Sequence, residues 1–197
     1  MKKIIFKTVI LTLISLVAVF LITYGCIAGS SPKFLADIWS DLGSYDISVK
    51  YYEKQYEKTQ DIYDLALLCN KVNEQNDSAR AARSLKLLTE DKNFAVLCNA
   101  EDNSDGYTFT AFEYYFGKYA VAEYFESGIN SAILIAEKSV TASYTEHSAF
   151  YSLLGIESLT KSDGEKIVAA ITEIKGELSD DAQKGYAERD IGFANGL

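Results

Sequence analysis

The feature that most constrains this chain is an uncharged stretch near its N-terminus, TVILTLISLVAVFLITYGCIA, which occupies residues 8–28. A helix needs about 20 apolar residues to cross the hydrocarbon core of a bilayer, and this stretch is long enough. Lys2, Lys3 and Lys7 precede it, whereas Lys33 and two aspartates are the only charged residues that closely follow it. Because positive charge favours the cytosolic side, we expect a cytosolic N-terminus and an exported remainder at the cell membrane.

The same stretch also fits two processing signals. A basic start, an apolar stretch and small residues between positions 25 and 30 are typical of a cleavable signal peptide, which would give a secreted protein. Cys26 and the three residues before it resemble the lipobox of bacterial lipoproteins, which implies lipidation of Cys26. Thr23 and Tyr24 depart from that motif, which usually has Leu and a small residue there. The length of the stretch favours an uncleaved anchor, and the two alternatives remain open.

The remainder of the chain is predicted to form one domain. Residues 29–33, GSSPK, contain the only proline of the sequence, and the residue before a proline disfavours helix. No second linker of this kind is visible further along. We therefore expect a signal anchor or transmembrane helix over residues 1–28, a linker over residues 29–33 and one exported domain over residues 34–197.

Apolar residues beyond the linker recur at steps of three and four, the spacing of one helical face. One such series is Tyr45, Val49, Tyr52 and Tyr56. Polar residues suited to N-caps, at positions 77–78 and 162–163, precede later series. The pattern predicts an all-α domain of about nine or ten helices, arranged as an array of helical hairpins or as an irregular α bundle. Turns are expected at residues 103–106 and around Gly128.

The net charge of -9 is unevenly distributed. Of the 19 basic residues three lysines precede the apolar stretch, and all 28 acidic residues follow it. A domain this acidic repels phosphate backbones, and no stripe of lysine and arginine is present, which argues against nucleic-acid binding. The charge instead favours a basic protein or peptide partner, whose binding would weaken as salt is added.

A short internal repeat suggests that helices stack in register. Residues 66–70 and residues 95–99 share the pattern A-x-L-C-N, and acid-rich polar residues follow both copies. A repeat that cannot bury its own apolar face must stack on a neighbour, as in solenoid proteins.

Two further groups of residues resemble the tetratricopeptide-repeat superfamily. In the second helix of such a repeat, a glycine, an aromatic residue, a small residue and another aromatic residue follow at fixed spacing, and here they are matched by Gly43, Tyr45, Ser48 and Tyr52. The repeat length is 34 residues, and the positions 34 residues after Gly43, Tyr45 and Ser48 are occupied by Asp77, Ala79 and Ala82. The W-x-x-L-G signature of a first helix is matched by Tyr151, Leu154 and Gly155. The terminal proline of that superfamily is missing, and the A-x-L-C-N copies are too close together for its repeat length. The resemblance covers roughly residues 33–178 and implies a protein-binding scaffold.

Cys69 and Cys98 occupy equivalent positions of the A-x-L-C-N pattern. In an oxidising compartment they could form a disulfide, although the axes of neighbouring helices stand about 8–10 Å apart and a disulfide needs Cα atoms within about 7 Å. The alternative is a pair of small buried side chains that let two helices approach.

No catalytic or metal-binding motif is complete. The opening of a calcium loop is matched by Glu101, Asn103, Asp105 and Gly106, but Phe112 stands where the closing carboxylate is needed. His147 is the only histidine and is expected at the surface near a helix start. Residues 158–161 match S-x-x-K without the motifs that accompany it in acylases. We therefore expect no enzymatic activity, no cofactor and no metal.

Nine aromatic residues are concentrated between residues 107 and 125. Phe109, Phe112, Phe116 and Tyr119 share one helical face and are predicted to be core residues. The tyrosines outside that face, and those of the earlier helix, could instead contact a partner, because rigid amphipathic rings contribute strongly at interfaces. The candidate binding residues are Tyr45, Tyr51, Tyr52, Tyr56, Tyr114, Tyr115 and Tyr124.

These observations favour a bacterial single-pass membrane protein whose exported helical domain binds a protein or peptide partner, in an envelope or secretion assembly. An alternative is an extracytoplasmic ligand-binding or hydrolytic domain with an aromatic-lined pocket, and another is a structural lipoprotein. A deep enclosed cavity with convergent polar groups would favour the pocket, and an open groove would favour the scaffold.

Overall fold

The computed structural model describes residues 2–75, 77–105, 110–140 and 144–197 of the chain. Within these residues the protein forms eleven helices and no strand, which confirms the all-α prediction. The helices are α1 (Lys2–Ser30), α2 (Pro32–Asp41), α3 (Tyr45–Thr59), α4 (Ile62–Asn73), α5 (Ser78–Thr89), α6 (Phe94–Asp105), α7 (Ala111–Ser127), α8 (Ile129–Ser139), α9 (Ala149–Leu154), α10 (Lys161–Glu177) and α11 (Asp181–Ala194).

Helix α1 contains the apolar stretch identified in the sequence. Its segment Val9–Ser30 has 22 residues, is apolar and contains no buried residue. By length and composition α1 is therefore long and apolar enough to cross a membrane, although an N-terminal signal sequence would have the same properties.

Polar side chains begin several of the other helices. The Asp77 carboxylate accepts a hydrogen bond from the backbone N–H of Arg80 and caps α5, as the sequence predicted. Helix α10 begins earlier than predicted, because Thr160 rather than residue 162 is its N-cap. Thr160 and Asp163 form a reciprocal capping box, and the Thr160 hydroxyl lowers the pKa of the Asp163 carboxyl.

The predicted turn at residues 103–106 is wrong as far as Asp105, because α6 continues to that residue. Helical backbone cannot wrap a cation in the way that the loop of an EF-hand does. The side chains of residues 101–105, and Gly106, lie outside the described part of the chain. The turn at Gly128 is confirmed, since Gly128 separates α7 from α8 with a positive φ of 87° that favours glycine.

The chain divides into two compact units, Met1–Asp64 and Leu65–Leu197. In the first unit, α2 and α3 form an antiparallel hairpin, and the Ser48 hydroxyl donates a hydrogen bond of 2.8 Å to the carbonyl of Ala36. Leu35, Val49 and Tyr52 are buried in this hairpin. The turn between the helices contains Gly43 at a φ of 72°, so the glycine of the suggested repeat helix lies before α3 rather than in it.

In the second unit, α7 is the central helix and packs against α5, α6, α8 and α9. Helices α10 and α11 pair with each other and contact α8 and α9. A helix surrounded by neighbours needs apolar residues on more than one face, and α7 satisfies this with its many rings. The fully buried large side chains of this unit include Leu85, Leu97, Tyr115, Phe150 and Ile167.

The two copies of A-x-L-C-N lie in α4 and α6, and the Leu-Cys pair of each copy, Leu68-Cys69 and Leu97-Cys98, is buried. No disulfide joins Cys69 and Cys98 in the described part of the structure. The W-x-x-L-G-like residues lie in or next to α9, which has only six residues and ends at Leu154. A first helix of a tetratricopeptide repeat would be longer than α9. The described residues show an all-helical chain, and the tetratricopeptide-like repeat stays a prediction.

Candidate functional site

Helix α7 presents one partly exposed face with residues spaced at helical intervals. Tyr114, Lys118, Val121 and Phe125 lie four, three and four residues apart and therefore project from the same side of the helix. Phe125 is 57% exposed. This face is the floor of a surface groove, which we call the α7 groove.

The α7 groove consists of two adjoining cavities that share Asn73 and Val121. The inner cavity has a volume of about 290 Å³ and the outer cavity a volume of about 580 Å³. The inner cavity is lined by Asn73, Glu113, Tyr114, Gly117, Lys118, Val121, His147, Tyr151 and Ser152. The outer cavity is lined by Asn73, Asp77, Ser78, Ala81, Val121, Ala122 and Phe125.

A glycine lets α9 approach the floor of the inner cavity. A Cβ atom built on Gly117 would lie 2.4 Å from the hydroxyl oxygen and 3.1 Å from the Cβ of Ser152. The absence of a side chain at Gly117 therefore brings Ser152 and the neighbouring Tyr151 close to α7. Tyr151 is itself 43% exposed at the cavity wall.

A cation and an aromatic ring meet on the floor of the groove. The Lys118 ammonium lies 4.1 Å from the centroid of the Tyr114 ring and donates a short hydrogen bond to the Tyr114 hydroxyl. The Asn73 side chain is nearby in the same wall, and Asn70 of α4 accepts hydrogen bonds from both Tyr114 and Lys118. The amide of Asn70 thus holds a ring and a positive charge together at the surface.

Glu113 is buried at the end of the inner cavity, but its carboxylate is already used. One oxygen accepts a hydrogen bond from the backbone N–H of Thr110 at 3.0 Å, which closes the capping box of α7. The other accepts a short hydrogen bond from the Thr145 hydroxyl. Glu113 therefore ties the start of α7 to the loop before α9.

The loop before α9 carries His147 into the inner cavity. Its ring stands at 81° to the ring of Tyr151, with the centroids 6.1 Å apart, and its Nε2 lies 3.4 Å from a Glu146 carboxylate oxygen. The Arg189 guanidinium lies over the Tyr151 ring at 4.9 Å and donates a hydrogen bond of 2.7 Å to the Glu146 carbonyl. The far wall is thus aromatic, and the Arg189 guanidinium behind it is paired with the Asp190 carboxylate at 2.7 Å.

The second unit has another surface cavity, of about 530 Å³, across α5, α7 and α8. Burial, with Glu123 and Glu90 nearby, raises the pKa of the Tyr119 hydroxyl there to about 12. Glu137 adds a third carboxylate, while Lys86 and Lys138 supply two ammonium groups. Because its charges are mixed, this cavity gives no clear preference for a charged partner.

The structure separates the seven predicted binding tyrosines. Tyr52 and Tyr115 are only 2% and 1% exposed, so the prediction that they line a binding surface is wrong for these two. Tyr115 is buried because α7 packs on several sides, and Tyr52 because its ring lies inside the α2–α3 hairpin, where its hydroxyl donates to Asp37. Phe116 and Tyr119 are core residues, as predicted, whereas Phe109 lies outside the described residues.

The remaining predicted residues have varied environments. Tyr45 is half exposed, and Tyr51, Tyr56 and Tyr124 are partly buried. The Tyr124 hydroxyl donates to the carbonyl of Ser158 at 3.4 Å. Of the seven tyrosines, Tyr114 is the one that the described part of the structure puts in the α7 groove. Cys26 is exposed on α1.

Sequence reasoning missed Lys118, Val121, Ser152 and Asn73, and it assigned His147 to the surface without a role. The signal for the first two was available, since Tyr114, Lys118, Val121 and Phe125 have the spacing of a helical face. His147, Ser152 and Asn73 could not be found in this way, because they come from other elements and reach the groove only through the packing of the helices.

Comparison with family models, with curated proteins and with solved structures gives no match for this chain.

Proposed function

We propose that this protein is a membrane-anchored helical scaffold that binds a segment of a partner protein in the α7 groove. The observation that carries the proposal is the exposed face of Tyr114, Lys118, Val121 and Phe125, which continues through both cavities. Such spacing suits a partner segment lying along the helix, with apolar side chains over Val121 and Phe125 and an acceptor near Lys118. The acidic composition of the body favours basic residues in the rest of that partner.

The anchor in this proposal is α1, kept rather than removed. The Tyr24 hydroxyl shares a hydrogen bond of 2.7 Å with the Tyr51 hydroxyl and accepts one of 3.1 Å from the Trp39 indole. The Lys58 ammonium donates to the carbonyls at the end of α1, including that of Ser30 at 2.7 Å. Cleavage before Cys26 would remove Tyr24 and its hydrogen bonds with Tyr51 and Trp39, which supports an uncleaved helix over lipidation at Cys26.

The α7 groove can be tested by photo-cross-linking in the full-length protein. A benzoylphenylalanine at Phe125 or Val121 is expected to give a discrete cross-linked partner, and the yield should fall when Tyr114→Ala and Lys118→Ala are added. The control is a benzoylphenylalanine at Leu87, which is 57% exposed and apolar but lies on α5 outside the groove. Equal products at Phe125 and Leu87, or none at Phe125, would contradict the proposal.

A second candidate function, binding of a small polar ligand, is favoured by the side chains of Lys118, His147 and Ser152 around the inner cavity. The two functions differ in where they use the groove. A small ligand would need only the inner cavity, so Phe125→Ala would leave its binding intact, whereas Phe125→Ala should weaken the binding of a protein segment that also occupies the outer cavity.

A further inference from the structure

The surface cavity of about 530 Å³ across α5, α7 and α8 combines charged and apolar groups, and we call it the α5–α8 cavity. Leu134 of α8 lines this cavity and is 60% exposed. The charged residues that line it are Lys86 and Glu90 of α5, Glu123 of α7, and Glu137 and Lys138 of α8. Two ammonium groups, three carboxylates and an exposed leucine thus surround one space at the surface.

The wall formed by α7 carries a hydroxyl group that has no partner in the described part of the chain. Tyr119 lines the cavity and is only 6% exposed, and its hydroxyl forms no hydrogen bond with a described residue. Burial and the nearby Glu123 and Glu90 carboxylates raise its pKa to about 12, so the hydroxyl keeps its proton. A group that enters the cavity therefore meets a hydrogen-bond donor that the protein itself leaves unused.

The charges around the cavity are also unused by the chain. Within the residues that the structure describes, none of Lys86, Glu90, Glu123 and Glu137 forms a salt bridge. Because these groups are not neutralised by neighbours, they are available to the charges of a binding partner.

The arrangement of the charges indicates which partner fits. A purely basic partner would meet Lys86 and Lys138, and a purely acidic one would meet three carboxylates. A second copy of the chain, related by a two-fold axis, supplies both signs at once, because such an interface puts the same surface on both sides. Lys86 of one copy then faces the carboxylates of the other, and Leu134 loses contact with water.

The rest of the chain is less suited to contact with its own copy. The net charge is -9, so two copies repel each other over most of their surfaces. Around the α5–α8 cavity the two signs are nearly balanced, with two ammonium groups and three carboxylates. Repulsion between two copies is therefore weak at this surface.

We propose that the protein forms a two-fold symmetric dimer in which the α5–α8 cavities of two copies face each other. The inference does not depend on the α7 groove or on the membrane anchor. With 3.6 residues per helical turn, Tyr119 and Glu123 project from the far side of α7 relative to Lys118 and Val121. The dimer therefore leaves both α7 grooves open, and a partner with two binding segments would gain avidity.

Photo-cross-linking of the full-length protein in detergent tests the contact. A benzoylphenylalanine at Leu134 is expected to give a product with twice the mass of the chain, and its yield should fall as salt is added. The control is a benzoylphenylalanine at Val96, which is 61% exposed on α6 and should give no such product. Equal yields of the two-chain product at Leu134 and Val96, or none at Leu134, would overturn the proposal.

An exchange of charges tests the symmetric pairing, with the probe kept at Leu134. The acidic variant carries Lys86→Glu and Lys138→Glu, and the basic variant carries Glu90→Lys and Glu137→Lys. Each variant alone should lose the two-chain product about tenfold, because like charges then face each other. Mixing the two variants should restore it, since each supplies the sign that the other lacks. An unchanged yield in either variant alone, or no recovery on mixing, would contradict the dimer.

The composition of the product distinguishes this contact from the α7 groove. A probe at Phe125 is expected to capture a different protein, whereas the probe at Leu134 captures a second copy. Leu87 is next to Lys86 in the sequence and can also give the two-chain product, so it is a control for the groove only with respect to a different protein. Capture of a different protein at Leu134, without a two-chain product, would assign this surface to that protein and overturn the dimer.

Discussion

Asp190 is fully buried in α11, and its carboxylate is enclosed by donors. The hydroxyls of Tyr144 and Ser148 donate to it at 2.8 Å and 3.2 Å, and the Arg189 guanidinium donates at 2.7 Å. Because Ser148 is also the N-cap of α9, this carboxylate links α11 to the loop that carries His147 into the α7 groove. Asp190 is thus a positioning residue for one wall of the groove.

Replacing Asp190 should destabilise the protein strongly. Asp190→Ala leaves the Tyr144 and Ser148 hydroxyls without their acceptor and Arg189 without its buried partner, which we expect to lower the free energy of unfolding by about 3 kcal/mol. Urea denaturation of the full chain in detergent, followed by circular dichroism, measures this. The control is Glu188→Ala in the same helix, where an exposed pair with Lys175 is removed. A loss no larger than that of the control would show that the network contributes little.

Buried thiol and phenol groups predict a loss of stability in alkali. Burial raises the pKa of the Cys69 thiol from 9.0 to about 12, and it raises the pKa of the Tyr119 hydroxyl from 10.0 to about 12. Below pH 9 both groups are protonated in the folded and the unfolded chain, so their contribution to stability is complete. As the pH rises from 9 toward 12, the unfolded chain loses these protons first and is favoured.

The urea midpoint of the full chain should therefore fall between about pH 9 and about pH 10.5. Each such group contributes up to about 1.4 kcal/mol per pH unit to the slope in that range. Cys69→Ala should make the fall shallower, even though the variant starts from a lower stability because of its cavity. An unchanged slope in Cys69→Ala would mean that the Cys69 thiol does not contribute to it.

At the scale of elements, close contact between α10 and α11 depends on one glycine. A Cβ atom built on Gly164 would lie 2.8 Å from the carbonyl oxygen of Ala194, which is a backbone atom and cannot rotate away. Gly176, in the same helix, has nothing within 4 Å of the corresponding position. Comparing alanine substitutions at Gly164 and Gly176 therefore separates the effect of helix packing on stability from the effect of helix propensity.

Alanine at the two positions should change stability in opposite directions. Gly164→Ala is expected to cost about 1–3 kcal/mol, because the α10–α11 pair must open. Gly176→Ala is expected to add about 0.5–1 kcal/mol, because alanine restricts the unfolded chain and favours helix. Thermal or urea unfolding of both variants checks this. Gains of similar size at both positions would show that α10 and α11 do not approach as closely as described.

At the scale of the whole molecule, the charge asymmetry around α1 predicts topology. Alkaline phosphatase fused after Leu197 should be active, because the enzyme matures only outside the cytosol and the lysines before α1 keep the N-terminus inside. Deleting residues 2–30 from the same fusion should abolish the activity. Mass spectrometry of the mature protein should find the residues before Cys26 still attached and Cys26 without a lipid. An inactive full-length fusion would reverse the proposed orientation.

The sequence by itself determined the properties that depend on local spacing. Twenty-one uncharged residues in a row require a long apolar helix, and apolar steps of three and four require amphipathic helices, because both follow from the geometry of a single helix. Local spacing also placed the cap of α5 at Asp77. It also placed Phe116 and Tyr119 in the core, but it did not separate the buried Tyr115 from the partly exposed Tyr114, because α7 carries rings on more than one side.

Tertiary structure decided which of those rings are buried. Tyr115 is in the core and Tyr114 is in the groove, although they are neighbours in the sequence, because the helices packed around α7 cover the side of Tyr115 and leave the side of Tyr114 open. It likewise brought Asn73, His147 and Ser152 to that side, and it brought Trp39 and Tyr51 to Tyr24. Contacts between residues so distant in the chain depend on how helices pack, and that depends on the shapes of all the side chains between them.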